Sequence, residues 1–451
     1  MQLALIVVWI GSAILLIASH FVDADVKDGF RGYKVYRLTI QSQRQLDLIN
    51  RISEDVDQKG LTDEVDVWTE LPRVFSPQRR NSFTALILLS PEKQAAFLET
   101  FDSESISHEV TIPDLAVAIE EESRFSLEDT RAVENGGMTW TAYHRYSTMV
   151  SWMDSLRSRY PDLVNEKVMI GKTYEGRNMY LLKVGKPRAD GKMKPGIYMD
   201  ANIHAREWIA GATLTFMVNK MVTEYETNST ARRMMNEIDW YIVPSANPDG
   251  YEYSHAAPNN RLWRKTRRVN PFSTDTGCDA NRNFDFKWMV AGAVQTPREN
   301  TYAGAFPYSE IENVHVTEAL LALVPQVKGM LSFHSAAQMW LLPWAYGYER
   351  SEDYDELMRV GRAATDALTA VYGIPYEVGT APDILYRAAG GTLDWAKAKA
   401  GAKYSYTPEL RDLGFGFVLP PNQIIPSGLE TFEAVNVIAQ AIFEEFGPTL
   451  N

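Results

Sequence analysis

Of the seven histidines in the chain, His204 and His334 each follow directly on an apolar run of strand character, "GIYMDAN" and "KGMLSFH". Ligand-binding residues of α/β sheets gather at such carboxyl ends of strands. Glu207 lies three residues beyond His204. An imidazole and a carboxylate at that spacing, joined by one distant histidine, could supply three zinc ligands and leave a fourth position for water, the composition of catalytic rather than structural zinc. On its own His-x-x-Glu fits a solvated helix-start pair equally well. Of the other histidines, His255 and His315 carry no such pattern, and His144 reads as a structural contact.

These residues need a frame that holds them. From about residue 138 onward helical and strand patterns alternate, as expected of an α/β domain. "MYLLKVG", "GIYMDAN", "DWYIVPS" and "KGMLSFH" read as strands, and "YSTMVSWMDSLRSRYP" as an amphipathic helix ended by Pro161. A helix is expected after Ser309 with Glu312 as its capping partner, and a last one over "LETFEAVNVIAQAIFEEF", stopped at Gly447-Pro448. Ahead of this domain, residues from about 33 to 113 follow the order β-α-β-β-α-β, a small α+β ferredoxin-like module. The joint "PDLAVAIEEESRFSLEDTRAVENGGMT" is charged and ends in Asn135-Gly136-Gly137. With Arg124 and Arg131 in it, it suits a trypsin-like protease or serves as a plain linker.

Bulk properties set the outer limits. At 451 residues and 45% hydrophobic content the chain can form two folded units. A net charge of -13 argues against a nucleic-acid partner, because phosphate binding needs clustered Lys and Arg. The uncharged apolar run "MQLALIVVWIGSAILLIAS" reads as a signal peptide within residues 1–24, cleaved between Ser19 and Ala24, with an uncleaved anchor as the alternative. The sequon Asn228-Ser229-Thr230 agrees with export. The single cysteine, Cys278, excludes an intrachain disulfide and reads as a small core thiol.

"NIHAREWI", "SANPDGYEYSH", "NNRLWRKTR", "DANRNFD", "TYAG", "SFHS", "LYRAAGGTLDW" and "YTPELRD" stand in the order and spacing of the zinc metallocarboxypeptidases of the pancreatic A/B type, and the amino-terminal module resembles their activation segment. The resemblance implies an α/β fold with a mixed central β-sheet flanked by helices, behind an activation domain over residues 25–131, with the catalytic domain at 132–451. It implies one zinc ion held by His204, Glu207 and His334, with Asp279 orienting the first histidine. Glu409 takes the place of the general base and Arg264 that of the residue facing the oxyanion. Asn281 and Arg282 match the clamp for a terminal carboxylate and Tyr386 the residue that closes over it. Arg206 matches a further substrate-side arginine, for which a structural ion pair is the alternative.

The resemblance places Leu393 at the base of the specificity pocket, where in the family an acidic residue accompanies release of Lys or Arg and an apolar one release of aromatic or large aliphatic residues; burying a Lys charge against Leu393 would be costly. The expectation is A-type release of hydrophobic or aromatic end residues, with Leu341, Ala381, Leu385 and Thr407 lining the pocket and Asp383 a carboxylate near its rim. The alternatives are B-type release of Lys or Arg, and a catalytically silent binding protein. Implied partners are peptide and protein C-termini and a trypsin-like activator, and implied localisation is extracellular, without stable membrane association. Arg261, Lys265, Arg267 and Arg268 read as a basic surface patch. Ala336 departs from the family pattern, which usually has a tyrosine there.

Overall fold

The computed structural model describes residues 29–448 except 60, 62, 63, 70, 73, 76–81, 124–137 and 272. The leader read over residues 1–24 and the expected cut at Arg124 or Arg131 lie outside the described residues. Among the described residues no helix is long and apolar enough to cross a membrane.

The amino-terminal module is built as the pattern implies. Strands β1 (Lys34–Ile40), β2 (Val65–Val67), β3 (Phe83–Leu89) and β4 (Ser107–Ile112) pair antiparallel in the order β2-β3-β1-β4, with helices Gln43–Lys59 and Pro91–Ser103 on one face. Gln45 returns its side chain to the backbone N–H of Gln41 while Ser42 accepts from Gln45 N, the reciprocal bonds of a helix start. Alternate strand residues divide the module's apolar surface. Tyr36, Leu38, Ile40, Ala85, Ile87 and Leu89 pack on its own helices. Val35, Leu86, Leu88 and Ile112 point the other way, onto Leu262, Phe415, Phe417 and Val418 of the large domain. "FTALILL" is almost wholly apolar because both of its faces are buried.

The large domain carries an eight-stranded sheet in the order β11-β10-β12-β9-β7-β8-β6-β5. Its strands are β5 (Val164–Lys172), β6 (Asn178–Val184), β7 (Gly196–Ala201), β8 (Asp239–Val243), β9 (Val327–Ser335), β10 (Met339–Leu342), β11 (Glu377–Thr380) and β12 (Tyr404–Leu410). β8, β7, β9 and β12 run parallel, whereas β5, β6 and β10 pair antiparallel, so the sheet is mixed. Helices cover both sides. Ile197, Met199 and Ala201 of β7 join one core with Leu214, Met217 and Ile438, and Tyr198 between them joins a second with Val316, Leu320 and Trp395. Period-two alternation thus distributes one strand between two cores.

Two helix starts differ from the reading of the sequence. The helix Ile311–Leu321 follows Glu310 without a side-chain cap bond, and Glu312 instead accepts from the backbone N–H of Tyr174. The last helix spans Ile424–Phe446, beginning five residues early, because Pro426 sits in its first turn where no intrahelical N–H is needed.

Candidate active site

Parallel pairing of β7 with β9 sets their carboxyl ends side by side, and this brings His204 to His334. Beyond β7 the chain turns through Asn202 at φ +53, His204 and Glu207, then enters the helix Trp208–Thr223 with Glu207 at its N-cap position. Asn202 Nδ2 donates to the Glu207 carbonyl at 2.6 Å and pins the turn. The positive end of the helix favours a carboxylate there. His204 Nδ1 lies 2.7 Å from Glu207 Oε1 and 3.1 Å from His334 Nδ1, while His334 Nδ1 lies 3.0 Å from Glu207 Oε2.

This triad suits zinc. All three donor atoms fall within 4.8 Å of one another, and all three residues are buried. Two ligands at about 2.0–2.1 Å from one tetrahedral ion lie about 3.3 Å apart, close to the 3.1 Å between the two Nδ1 atoms. Burial alone would lower His334, but the Glu207 carboxylate lifts it to about 9.

Asp279 gathers the neighbouring groups. Its Oδ1 faces His204 Nε2 at 3.0 Å and accepts from Asn281 N at 2.9 Å; its Oδ2 accepts from Arg264 Nε at 3.2 Å and Nη2 at 2.8 Å. Burial pushes this carboxyl up, yet the charges of Arg264, His204 and Arg282 hold it well below the usual carboxylate range. One ionised carboxylate therefore sets the direction of both an imidazole and a guanidinium.

Glu409 arrives from the far side of β9. In the ladder it pairs with His334 on one flank and Met339 on the other, so sheet register places it beside the triad. Arg411, two residues further along the chain, is engaged elsewhere: Arg411 Nε donates to Glu430 Oε1 at 2.8 Å, and Tyr376 donates to the same oxygen.

Asn281, Arg282, Tyr386 and Leu393 line the same cleft as His204, Glu207, His334, Arg264 and Glu409, a space of about 790 Å³. Arg282 Nη2 donates to the Tyr386 hydroxyl at 2.8 Å, and Asn281 Oδ1 accepts from Thr392 N. Leu341, Ala381, Leu385 and Thr407 line it as well. Asp383 is not among the lining residues; Arg350 holds it at 2.7 Å. Asp394 and Trp68 are among the lining residues that the sequence reading did not single out. Asp394 accepts from the backbone N–H groups of Ala345 and Tyr346, and burial pushes it up to about 7. Trp68, the residue after β2, reaches the cleft from the amino-terminal module, and nothing in its local sequence signals that destination.

The basic patch requires correction. Arg261 and Lys265 are buried, at 1% and 4% exposure. Arg261 donates from Nε to Glu122 Oε2 at 2.6 Å and from Nη2 to Glu122 Oε1 at 3.0 Å, and stacks on Trp208 at 3.7 Å. Lys265 Nζ donates to the Pro297 carbonyl. Arg267 lies over Tyr253. Arg206 pairs with Asp66 of the module at 3.3 Å while its guanidinium rests 3.9 Å above Phe417. Cys278 is buried and unpaired, and burial pushes its thiol up.

Comparison with known families matches residues 149–434 to zinc carboxypeptidase and residues 36–122 to the carboxypeptidase activation peptide. The chain is 44% identical over 311 residues to carboxypeptidase B of Astacus astacus, covering 68% of this chain and 100% of that protein. It is 33% identical over 435 residues to zinc carboxypeptidase A 1 of Anopheles gambiae, covering 95% and 93%. Among solved structures, that of thrombin activatable fibrinolysis inhibitor superposes with a TM-score of 0.80 at 29% identity, over 92% of this chain and 100% of that one.

Proposed function

Since the chain belongs to the zinc carboxypeptidase family and carries its activation peptide, we propose that it is a secreted zymogen whose processed form removes single hydrophobic or aromatic residues from peptide C-termini. One observation carries this reading: the metal triad and the Asn281, Arg282 and Tyr386 group share a cleft whose lining includes Leu393 and other apolar side chains. A guanidinium offers two parallel donors to a terminal carboxylate, so a chain end is held and an internal bond is not. Ordinary export and cutting near Arg131 complete the proposal.

Bound zinc supplies a Lewis acid that lowers the pKa of water toward about 7. Glu409 then takes the proton of the attacking water and hands it to the departing amine. Arg264, held rigid by Asp279, faces the oxygen of the scissile carbonyl, where fixed positive charge favours the transition state over the ground state. Tyr386 gives up its bond to Arg282 when a substrate carboxylate arrives and folds over the bound residue. Leu393 offers contact to an apolar side chain and no counter-charge to a cation.

Latency follows from the module. Asp66 and Trp68 stand at the cleft, with Asp66 on Arg206, and they block a peptide's approach. A B-type reading has in its favour that several relatives, those of Astacus astacus and Rattus norvegicus among them, are carboxypeptidases B. Leu393 and the engagement of Asp383 by Arg350 oppose it. Trypsin-treated protein assayed on peptides differing only in the last residue decides: Phe and Leu should leave and Arg should not, whereas preferred release of Arg or Lys would overturn A-type specificity.

A further inference from the structure

We propose that Asn228 carries an N-linked glycan in the exported protein, on the side of the large domain away from the cleft, and that the folded turn accommodates the sugar without losing a hydrogen bond. The inference rests on reading the chain as secreted. Asn228, Ser229 and Thr230 meet the acceptor pattern, with no proline between the asparagine and the threonine. Such a triplet also arises by chance, so the decision lies with the fold around it.

The triplet stands between the helix Trp208–Thr223 and the helix Ser229–Glu237, in a turn where Glu226, Thr227 and Ser229 are exposed and the Glu226 side chain keeps 84% of its surface. Asn228 Oδ1 accepts from the backbone N–H groups of Thr230 at 3.0 Å and Ala231 at 3.2 Å, which caps the second helix and fixes which end of the amide is oxygen. Nδ2 donates to Glu224 Oε2 at 3.0 Å. That nitrogen has two hydrogens, and glycosyl transfer consumes one. The donor is an oligosaccharide on a lipid diphosphate: the anomeric carbon bonds to Nδ2, the lipid diphosphate leaves with the electron pair of the broken C–O bond, and the displaced Nδ2 proton passes to a base. The product keeps an N–H for Glu224 and an oxygen for both backbone donors, so cap and sugar coexist.

The turn is also remote from the catalytic groups. The backbone N–H of Asn228 donates to the Glu224 carbonyl, at the C-cap of the helix Trp208–Thr223. That helix starts beside Glu207 in the cleft, and its 16 residues span about 24 Å at 1.5 Å each. β8, which follows the second helix, starts at Asp239 opposite Gly196, the first residue of β7. The turn therefore belongs to the end of the sheet opposite the strand ends that present His204 and His334. Arg233 of the second helix reaches Asn436 on the last helix of the large domain. A glycan here leaves the cleft and the amino-terminal module uncovered.

The test expresses the full chain in a secreting animal cell line and collects it from the medium. Treatment with peptide N-glycosidase in heavy-oxygen water should lower its mass in one step and label residue 228, where cutting the sugar amide leaves a carboxyl group. Asn228→Asp, which keeps the capping oxygen, and Thr230→Ala, which keeps the asparagine, should both abolish the step, and after processing both should match the parental kcat/KM. The glycosylated parent should melt no lower than Asn228→Asp. Should either variant fail to reach the medium, mass analysis of the unaltered protein still decides. Secreted protein without sugar at residue 228 would overturn this inference alone, and a chain retained inside the cell would overturn it together with the reading of export. A lower Tm for the glycosylated parent would refute the coexistence of cap and sugar, and an altered kcat/KM on losing the sugar would refute its placement away from the cleft.

Discussion

Replacing Glu122 with glutamine measures how tightly the amino-terminal module is held. Glu122 and Arg261 are 2% and 1% exposed and joined by two hydrogen bonds of 2.6 and 3.0 Å. Breaking a buried pair by removing one charge costs about 3–5 kcal/mol. Glutamine keeps the shape and one acceptor, and Arg261 retains the carbonyls of Arg206 and Phe417 and the face of Trp208. The loss should therefore lie at the lower end, about 3 kcal/mol, or roughly a hundredfold in the docking equilibrium, since about 1.4 kcal/mol is tenfold. Activity of the uncleaved chain on a small blocked substrate reports the undocked fraction. Glu122→Gln should raise that activity by up to about a hundredfold, while the processed enzymes from both forms, having shed residue 122, should be indistinguishable. An uncleaved variant as silent as the parent would refute the idea that this pair anchors the module.

Two further outcomes are expected. Glu409→Gln should lower kcat by about 100-fold or more with zinc content unchanged, as checked by metal analysis beside steady-state kinetics, because its proposed part is proton transfer and not ligation. Glu312 should make stability depend on pH: burial pushes it up to about 7 against an ordinary 4.5, and its Oε2 has no hydrogen-bond partner. The folded state thus keeps a proton that the unfolded chain loses, so stability falls as pH rises from about 4.5 to about 7, by about 2–3 kcal/mol. Glu312→Gln should raise Tm at pH 8 and leave it near the parental value at pH 5; equal Tm values at both would show that the carboxyl is not strained.

The parts of the molecule legible in sequence are those governed by local pattern. Period-two alternation in "YKVYRLTI" and the Ser42/Gln45 start specify the module, and His204 and His334 stand at strand ends that parallel pairing must bring together. The missed parts depend on partners distant in the chain. Arg261 sits among Arg264, Lys265, Arg267 and Arg268, so composition suggests a solvated face, yet its partner Glu122 lies 139 residues earlier. Glu409 and Arg411 are close in sequence, but Arg411 is taken by Glu430 on the last helix. Asp383 reads from sequence as a carboxylate near the rim, yet it pairs with Arg350 and does not line the cleft. β10 and β11, at four residues each, are too short for periodicity to declare.

The central claim is that His204, Glu207 and His334 together hold the zinc on which peptide-end hydrolysis depends. Stripping the processed enzyme with a chelator and returning zinc in steps, while following bound metal and release of a terminal Phe, tests it most directly. Activity should climb in proportion to zinc and level off at one equivalent per chain, and folded His334→Ala should show neither tight binding nor turnover. Full turnover by the stripped enzyme, or undiminished zinc affinity in His334→Ala, would contradict the account.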